Sequence, residues 1–209
     1  MKYLEFKILV KDLPVFATPQ VSRLAKDKQV FKNQISIWKK QGLIIPLKKG
    51  LYILNQHDRK INPSREFIAN QLVFPSYISL ESALSFYGLI PEKVFQVTSI
   101  TSKKTIVFEN PFGRFMYRNL NERLFFGFTS LRDENYLQIL VAEREKALLD
   151  FLYLNLSKIN SGDPSFLEES YRFENLNELD SSLLLNYSKQ FHSKKLTTVV
   201  ELLIKNRKN

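Results

Sequence analysis

Apolar positions in the first sixty residues recur at helical spacing and then at strand spacing. Over 2–10, Leu4 and Ile8, with Tyr3 beside them, share one helical face, and the run stops before Pro14. Thr18 is a capping residue and Pro19 suits a first helical position; Val21, Leu24 and Ala25 continue that helix. Phe31, Ile35 and Trp38 stand at i, i+4 and i+7, and Gly42 lies where a left-handed cap ends a helix. Opposite that stripe lie Lys32, Asn33, Ser36, Lys39 and Lys40. Two short apolar runs, 43–47 and 51–54, flank Lys48-Lys49-Gly50, a hairpin with a basic tip. Ile37 is off the apolar stripe and either packs under this hairpin or stands exposed.

Beyond a polar junction ending in Asn62-Pro63, a helix is expected over 63–72 and is broken by Phe74-Pro75-Ser76. Ser79 caps a further helix with Glu81 near its positive end and Ala83, Leu84, Phe86 and Tyr87 inside; Gly88 closes it. The period then shortens to two. The segments 94–101, 105–109, 114–120, 124–131 and 135–142 read as strands rich in β-branched and aromatic residues. An amphipathic helix comes next over 142–156, with Ala147, Leu148, Phe151, Leu152 and Leu154 inside. Three more helices are expected over 163–205, before a basic, frayed end.

The 209 residues suffice for one generous domain or two small ones, and 44% hydrophobic content supplies a core. No apolar run reaches the roughly 18 residues of a membrane span. The first residues lack the long apolar stretch of a signal peptide. Absence of Cys excludes disulfides and thiolate chemistry and fits a reducing cytoplasm. With two His, a structural zinc site has almost no ligands. Charge changes the picture most. Residues 1–60 hold thirteen basic and four acidic side chains, whereas the other 149 hold 18 and 17, so almost all of the net +10 lies in under a third of the chain. That asymmetry suggests a basic module made for a polyanion, joined to a near-neutral one.

Three helices and a hairpin in about 55 residues is the order of a winged helix-turn-helix, whose third helix enters the major groove. The expected fold is α+β: a winged-helix DNA-binding domain at 1–58, then a mixed-sheet-plus-helices domain at 59–209 with a helical C-terminal tail. The expected DNA-binding residues are Thr18, Lys28, Lys32, Asn33, Gln34, Ser36, Lys39, Lys40, Lys48 and Lys49. Asn33 and Gln34 can pair bidentately with adenine edges, whereas Lys48 and Lys49 serve as backbone anchors. The same helix face would also serve as plain solvated surface; the order of elements distinguishes the two, not any single residue.

The run 75–92, Pro-Ser-Tyr-Ile-Ser-Leu-Glu-Ser-Ala-Leu-Ser-Phe-Tyr-Gly-Leu-Ile-Pro-Glu, resembles a signature of the AbiE-type (AbiEi) abortive-infection antitoxins, the transcriptional-regulator partners in bacterial type IV toxin–antitoxin systems. Lys49-Gly50-Leu51-Tyr52, Val97-Thr98-Ser99 and Glu145-Lys146-Ala147-Leu148-Leu149-Asp150 look like further segments of that family. The resemblance implies a winged helix that represses its own operon at promoter repeats. It also implies a second domain that counteracts a nucleotidyltransferase-like toxin without a stable complex. It departs at Ile37, where the family often has a basic residue; Lys39 and Lys40 could substitute.

Chemistry-bearing patterns are sparse. The six Gly form neither a dinucleotide nor a phosphate-cradling loop, and neither His57 nor His192 lies near a nucleophile motif. No catalytic residue, cofactor or metal is therefore expected. The alternative is a metal-dependent nucleic-acid-processing enzyme that draws on Glu109, Asp133, Glu134, Glu143 and Glu145. Against it, Arg144 and Lys146 interleave the last two acids in a pattern of surface ion pairs. The aromatics Phe112, Phe115, Tyr117, Phe125, Phe126 and Phe128 could stack on bases, but their period fits sheet core.

Overall fold

The computed structural model describes residues 1–23, 27–159 and 172–206. Among these, eight α-helices and two sheets make an α+β fold. The first part comprises α1 (Tyr3–Val10), β1 (Phe16–Ala17), α2 (Thr18–Ser22), α3 (Lys28–Lys40), β2 (Ile44–Lys48) and β3 (Leu51–Leu54). The strands form an antiparallel sheet in the order β1-β3-β2. Phe6, Val10, Phe16, Val21, Phe31, Ile35, Trp38, Ile44 and Leu54 pack into one core, with Phe6 stacked on Trp38.

The buried face of α1 differs from the expected one. Phe6 and Val10 point inward, while Leu4 and Ile8 are exposed. Both pairs have helical spacing; the aromatic one wins because it meets Phe16, Phe31 and Trp38. In α2 the capping position belongs to Ala17, and Thr18 is the first helical residue. Leu24 and Ala25, expected to continue α2, lie outside the described residues.

The second part runs α4 (Arg65–Leu72), β4 (Ser76–Ile78), α5 (Leu80–Phe86), β5 (Val97–Thr101), β6 (Ile106–Asn110), β7 (Gly113–Asn119), β8 (Phe128–Arg132), β9 (Gln138–Ala142), α6 (Arg144–Asn155), α7 (Ser181–Gln190) and α8 (Lys194–Asn206). The mixed sheet has the order β6-β7-β5-β4-β9-β8. Its centre, β4, stands where sequence reasoning sees only a break. Three residues, all buried, give no alternation to read. Tyr117 of β7 donates to the Ala69 carbonyl of α4, whereas Tyr77 of β4 reaches Asp150 of α6. The pairings put Ser99 beside Tyr117, and Ile100 beside Tyr77. Thus α4 covers one face of the sheet and α6 the other. The expected helix interior of α5 is also corrected at Phe86, which is exposed. Of the three helices expected over 163–205, α7 and α8 are described, and residues 160–171 lie outside the description.

The small sheet ties the two parts together. On β3, Leu51 and Ile53 belong to the larger core and Leu54 to the N-terminal one, as strand alternation requires. Leu47 of β2 joins the larger core as well, and its carbonyl accepts from Asn110 Nδ2 at 3.1 Å.

Candidate nucleic-acid interface

Helix α3 is built to present one face. Asp27 caps it, accepting from the backbone N–H of Gln29 and Val30 at 2.7 and 3.0 Å, which satisfies donors that a helix start leaves unpaired. Phe31, Ile35 and Trp38 anchor the inner stripe. Gly42, at φ +70°, turns the chain into β2. At about 100° per residue, the line opposite that stripe runs through Gln29, Asn33, Ser36 and Lys40. Lys32 and Lys39 flank it on one side, and Val30 and Ile37 on the other. All of these residues are exposed, so nothing else in the described molecule covers this face.

The expected contact residues divide. Lys28, Lys32, Asn33, Ser36, Lys39 and Lys40 are exposed on α3. Gln34 is half-buried, closer to the inner stripe than to the outward line. Thr18 is half-buried, and its backbone N–H donates to the Gly50 carbonyl at 2.9 Å. Lys49 is exposed at the hairpin tip. Lys48 is not: its Nζ donates to the Leu72 carbonyl at 2.5 Å. Burial, aided by the nearby charge of Lys103, lowers its pKa. The expected pair of anchors is therefore one free cation and one tether to α4. Gln29 and Val30 also stand on this face but carry no charge that would mark them in the sequence, and Ile37 is exposed.

Three other basic groups of the first sixty residues have partners within the molecule. Lys7 Nζ and Tyr3 Oη both donate to Asp58, at 2.5 and 2.7 Å, with Asn55 Nδ2 at 3.0 Å. Lys60 pairs with Asp12 at 2.7 Å. The Arg59 guanidinium lies 5.6 Å from the Phe112 ring centre and reaches the Leu54 carbonyl. Helix α3 carries four exposed lysines and the hairpin tip a fifth, Lys49, while Lys2 and Arg23 are exposed elsewhere.

The carboxylates of the enzymatic alternative do not converge. Glu109 sits on β6 and Asp133 and Glu134 follow β8, at opposite edges of the sheet. Five strand spacings separate these edges, about 24 Å. Both Asp133 oxygens are occupied, one by the Ser64 hydroxyl and N–H, the other by the N–H groups of Asn135 and Leu137. Asp133 and Glu134 line a pocket of about 440 Å³ with Ser64 and Glu66. Glu143 accepts from Tyr187 and Glu145 from the Asp180 N–H. Among the described residues no group of three His, Cys, Asp or Glu could hold a metal ion.

Lys146 is also not the surface residue its pattern implies. It is fully buried and pairs with Asp150. Asp150 also accepts from Tyr77 and Ser79 hydroxyls, at 2.9 and 2.8 Å. The Lys146 ammonium lies 5.0 to 5.3 Å from the ring centres of Tyr77, Phe126 and Phe191. Burial raises the pKa of Asp150 and lowers that of Lys146. Two of the segments that carry the family resemblance, 75–92 and 145–150, thus meet in one buried network. The six aromatics weighed for base stacking are buried or packed against the core.

No family model and no curated protein sequence matches the chain. No helix among the described residues is long and apolar enough to cross a membrane.

Proposed function

We propose that the chain is a sequence-specific DNA-binding protein that represses its own operon, with α3 as the recognition helix of a winged helix-turn-helix at residues 1–58. The observation that carries this reading is the face of α3. Lysines 28, 32, 39 and 40 with Gln29, Asn33 and Ser36 stand uncovered there, while Lys7 and Lys48 of the same module are engaged by Asp58 and by the Leu72 carbonyl. Duplex DNA carries one negative charge per about 1.7 Å of axis, so such a face gains affinity by releasing counterions. In this reading the hairpin contributes only its tip, through Lys49.

The second part, by the resemblance of 75–92 and 145–150, opposes a nucleotidyltransferase-like toxin in the bacterial cytoplasm. That role rests on the resemblance alone. Co-expression with a nucleotidyltransferase encoded beside the gene tests it: growth should be rescued by the full chain, and absence of rescue would remove the antitoxin role.

For DNA binding the test is a gel shift on the DNA upstream of the gene, repeated across salt concentrations. Five phosphate contacts, from Lys28, Lys32, Lys39, Lys40 and Lys49, give a log–log salt slope of about −4.5. Lys39→Ala with Lys40→Ala should flatten the slope by about 2 without changing the preferred sequence. Asn33→Ala should instead relax sequence preference, by roughly 1–3 kcal/mol. Equal affinity for upstream and unrelated duplexes would reject the repressor reading.

A further inference from the structure

The outward face of α3 is not uniformly polar. Val30 and Ile37 are each 51% exposed, and at positions i and i+7 they lie along one edge of the helix. Asn33 falls between them, with Gln29 beside it, and no Arg occurs anywhere in α3. Exposed branched side chains gain nothing from water. On a helix otherwise lined with amides and lysines they form two apolar points inside a cationic field, which suits an anionic ligand that itself presents apolar points.

A duplex offers such points only as thymine 5-methyl groups in the major groove, beside the adenine N6 and N7 positions that an amide can grip. We infer that α3 reads A·T base pairs, with Val30 and Ile37 each packing on a thymine methyl and Asn33 pairing with an adenine between them. The inference rests on the proposed recognition role of α3 and adds to it the chemical class of the site. It also carries a spacing. Seven residues advance about 10.5 Å along the helix, which is about three base steps at 3.4 Å. The two thymines therefore lie about three steps apart. Their approach needs no charge at position 37.

The test begins with selection of preferred sites from a random duplex pool by the full-length protein. A·T pairs should dominate the centre of the selected site. Each conserved thymine is then replaced by deoxyuridine, which removes only the methyl group. Loss of one buried methyl corresponds to about fourfold weaker binding, expected at two positions about three steps apart. Ile37→Ser should weaken binding to the thymine duplex and abolish the thymine-to-uracil difference at one of them, and Val30→Ala at the other. Both substitutions fall on exposed positions, so the fold is retained. A G·C-centred site, or sequence-specific binding that is indifferent to uracil at every position, would overturn the inference while leaving the repressor reading intact. Absence of any selected sequence would overturn both.

Discussion

Asp58 shows how one side chain decides where charge goes. It gathers Tyr3, Lys7 and Asn55 and so clamps α1 to the end of the small sheet. The Lys7 hydrogen bond, with lesser help from Tyr3 and Asn55, overcomes burial and holds its pKa below the ordinary 3.8. A depressed folded value means stability that is fully present above the unfolded pKa and is lost as the pH falls from about 4 through the folded value. Melting temperature should therefore drop on acidification through that window, and Asp58→Asn should flatten that part of the profile while lowering stability at neutral pH. Lys48 and Lys49 make a second contrast. Lys49→Ala should reduce the salt slope of DNA binding by about 1 and leave stability unchanged. Lys48→Ala should leave the slope unchanged and cost about 1–3 kcal/mol, because the Leu72 carbonyl loses a charged donor. Denaturation and titration of both variants separate the two roles. Adjacent lysines are indistinguishable in a sequence, since the backbone turn at Gly50, at φ +82°, decides which one meets α4.

At the level of elements, α3 and α6 invert their appearances. Helix α3 reads as amphipathic and is, down to its cap. Asp27→Ala should destabilise the protein by about 1 kcal/mol, seen as a lower midpoint in urea. Helix α6 also reads as amphipathic, yet every residue from Glu145 to Leu152 is buried. Its charged face is turned into the molecule, where Asp150 and Lys146 neutralise each other between sheet, α7 and the rings of Phe126 and Phe191. Removing one partner from such a pair leaves the other uncompensated. Asp150→Ala should therefore cost about 3–5 kcal/mol, measured by denaturation, well above what a surface pair would give. Spacing shows that Lys146 and Asp150 face the same way; it cannot say whether that way is water.

For the whole molecule, the consequence lies in the small sheet. Its near-continuous apolar runs, Leu-Ile-Ile-Pro-Leu and Leu-Tyr-Ile-Leu, are those of strands covered on both faces, and one face indeed belongs to each core. The two parts should therefore melt in a single calorimetric transition. A fragment ending at residue 58 should lack a cooperative melt, because Leu47, Leu51 and Ile53 would be stripped of cover. Two separated transitions, or a stably folded fragment, would show that the shared sheet does not couple them.

Local periodicity alone determined that α1, α3, the hairpin and the outer strands would form, and where the positive charge would collect, because neighbours in sequence dictate helical stripes, caps and turns. The tertiary structure alone decided which face of α1 is buried, that Ser76–Ile78 is the central strand, that Lys48 and Lys146 turn inward, and that Val30 and Ile37 stand outward beside Asn33. Those outcomes depend on partners dozens of residues away, and a side chain's surroundings, not its type, set whether it meets solvent, a carbonyl or a counter-charge.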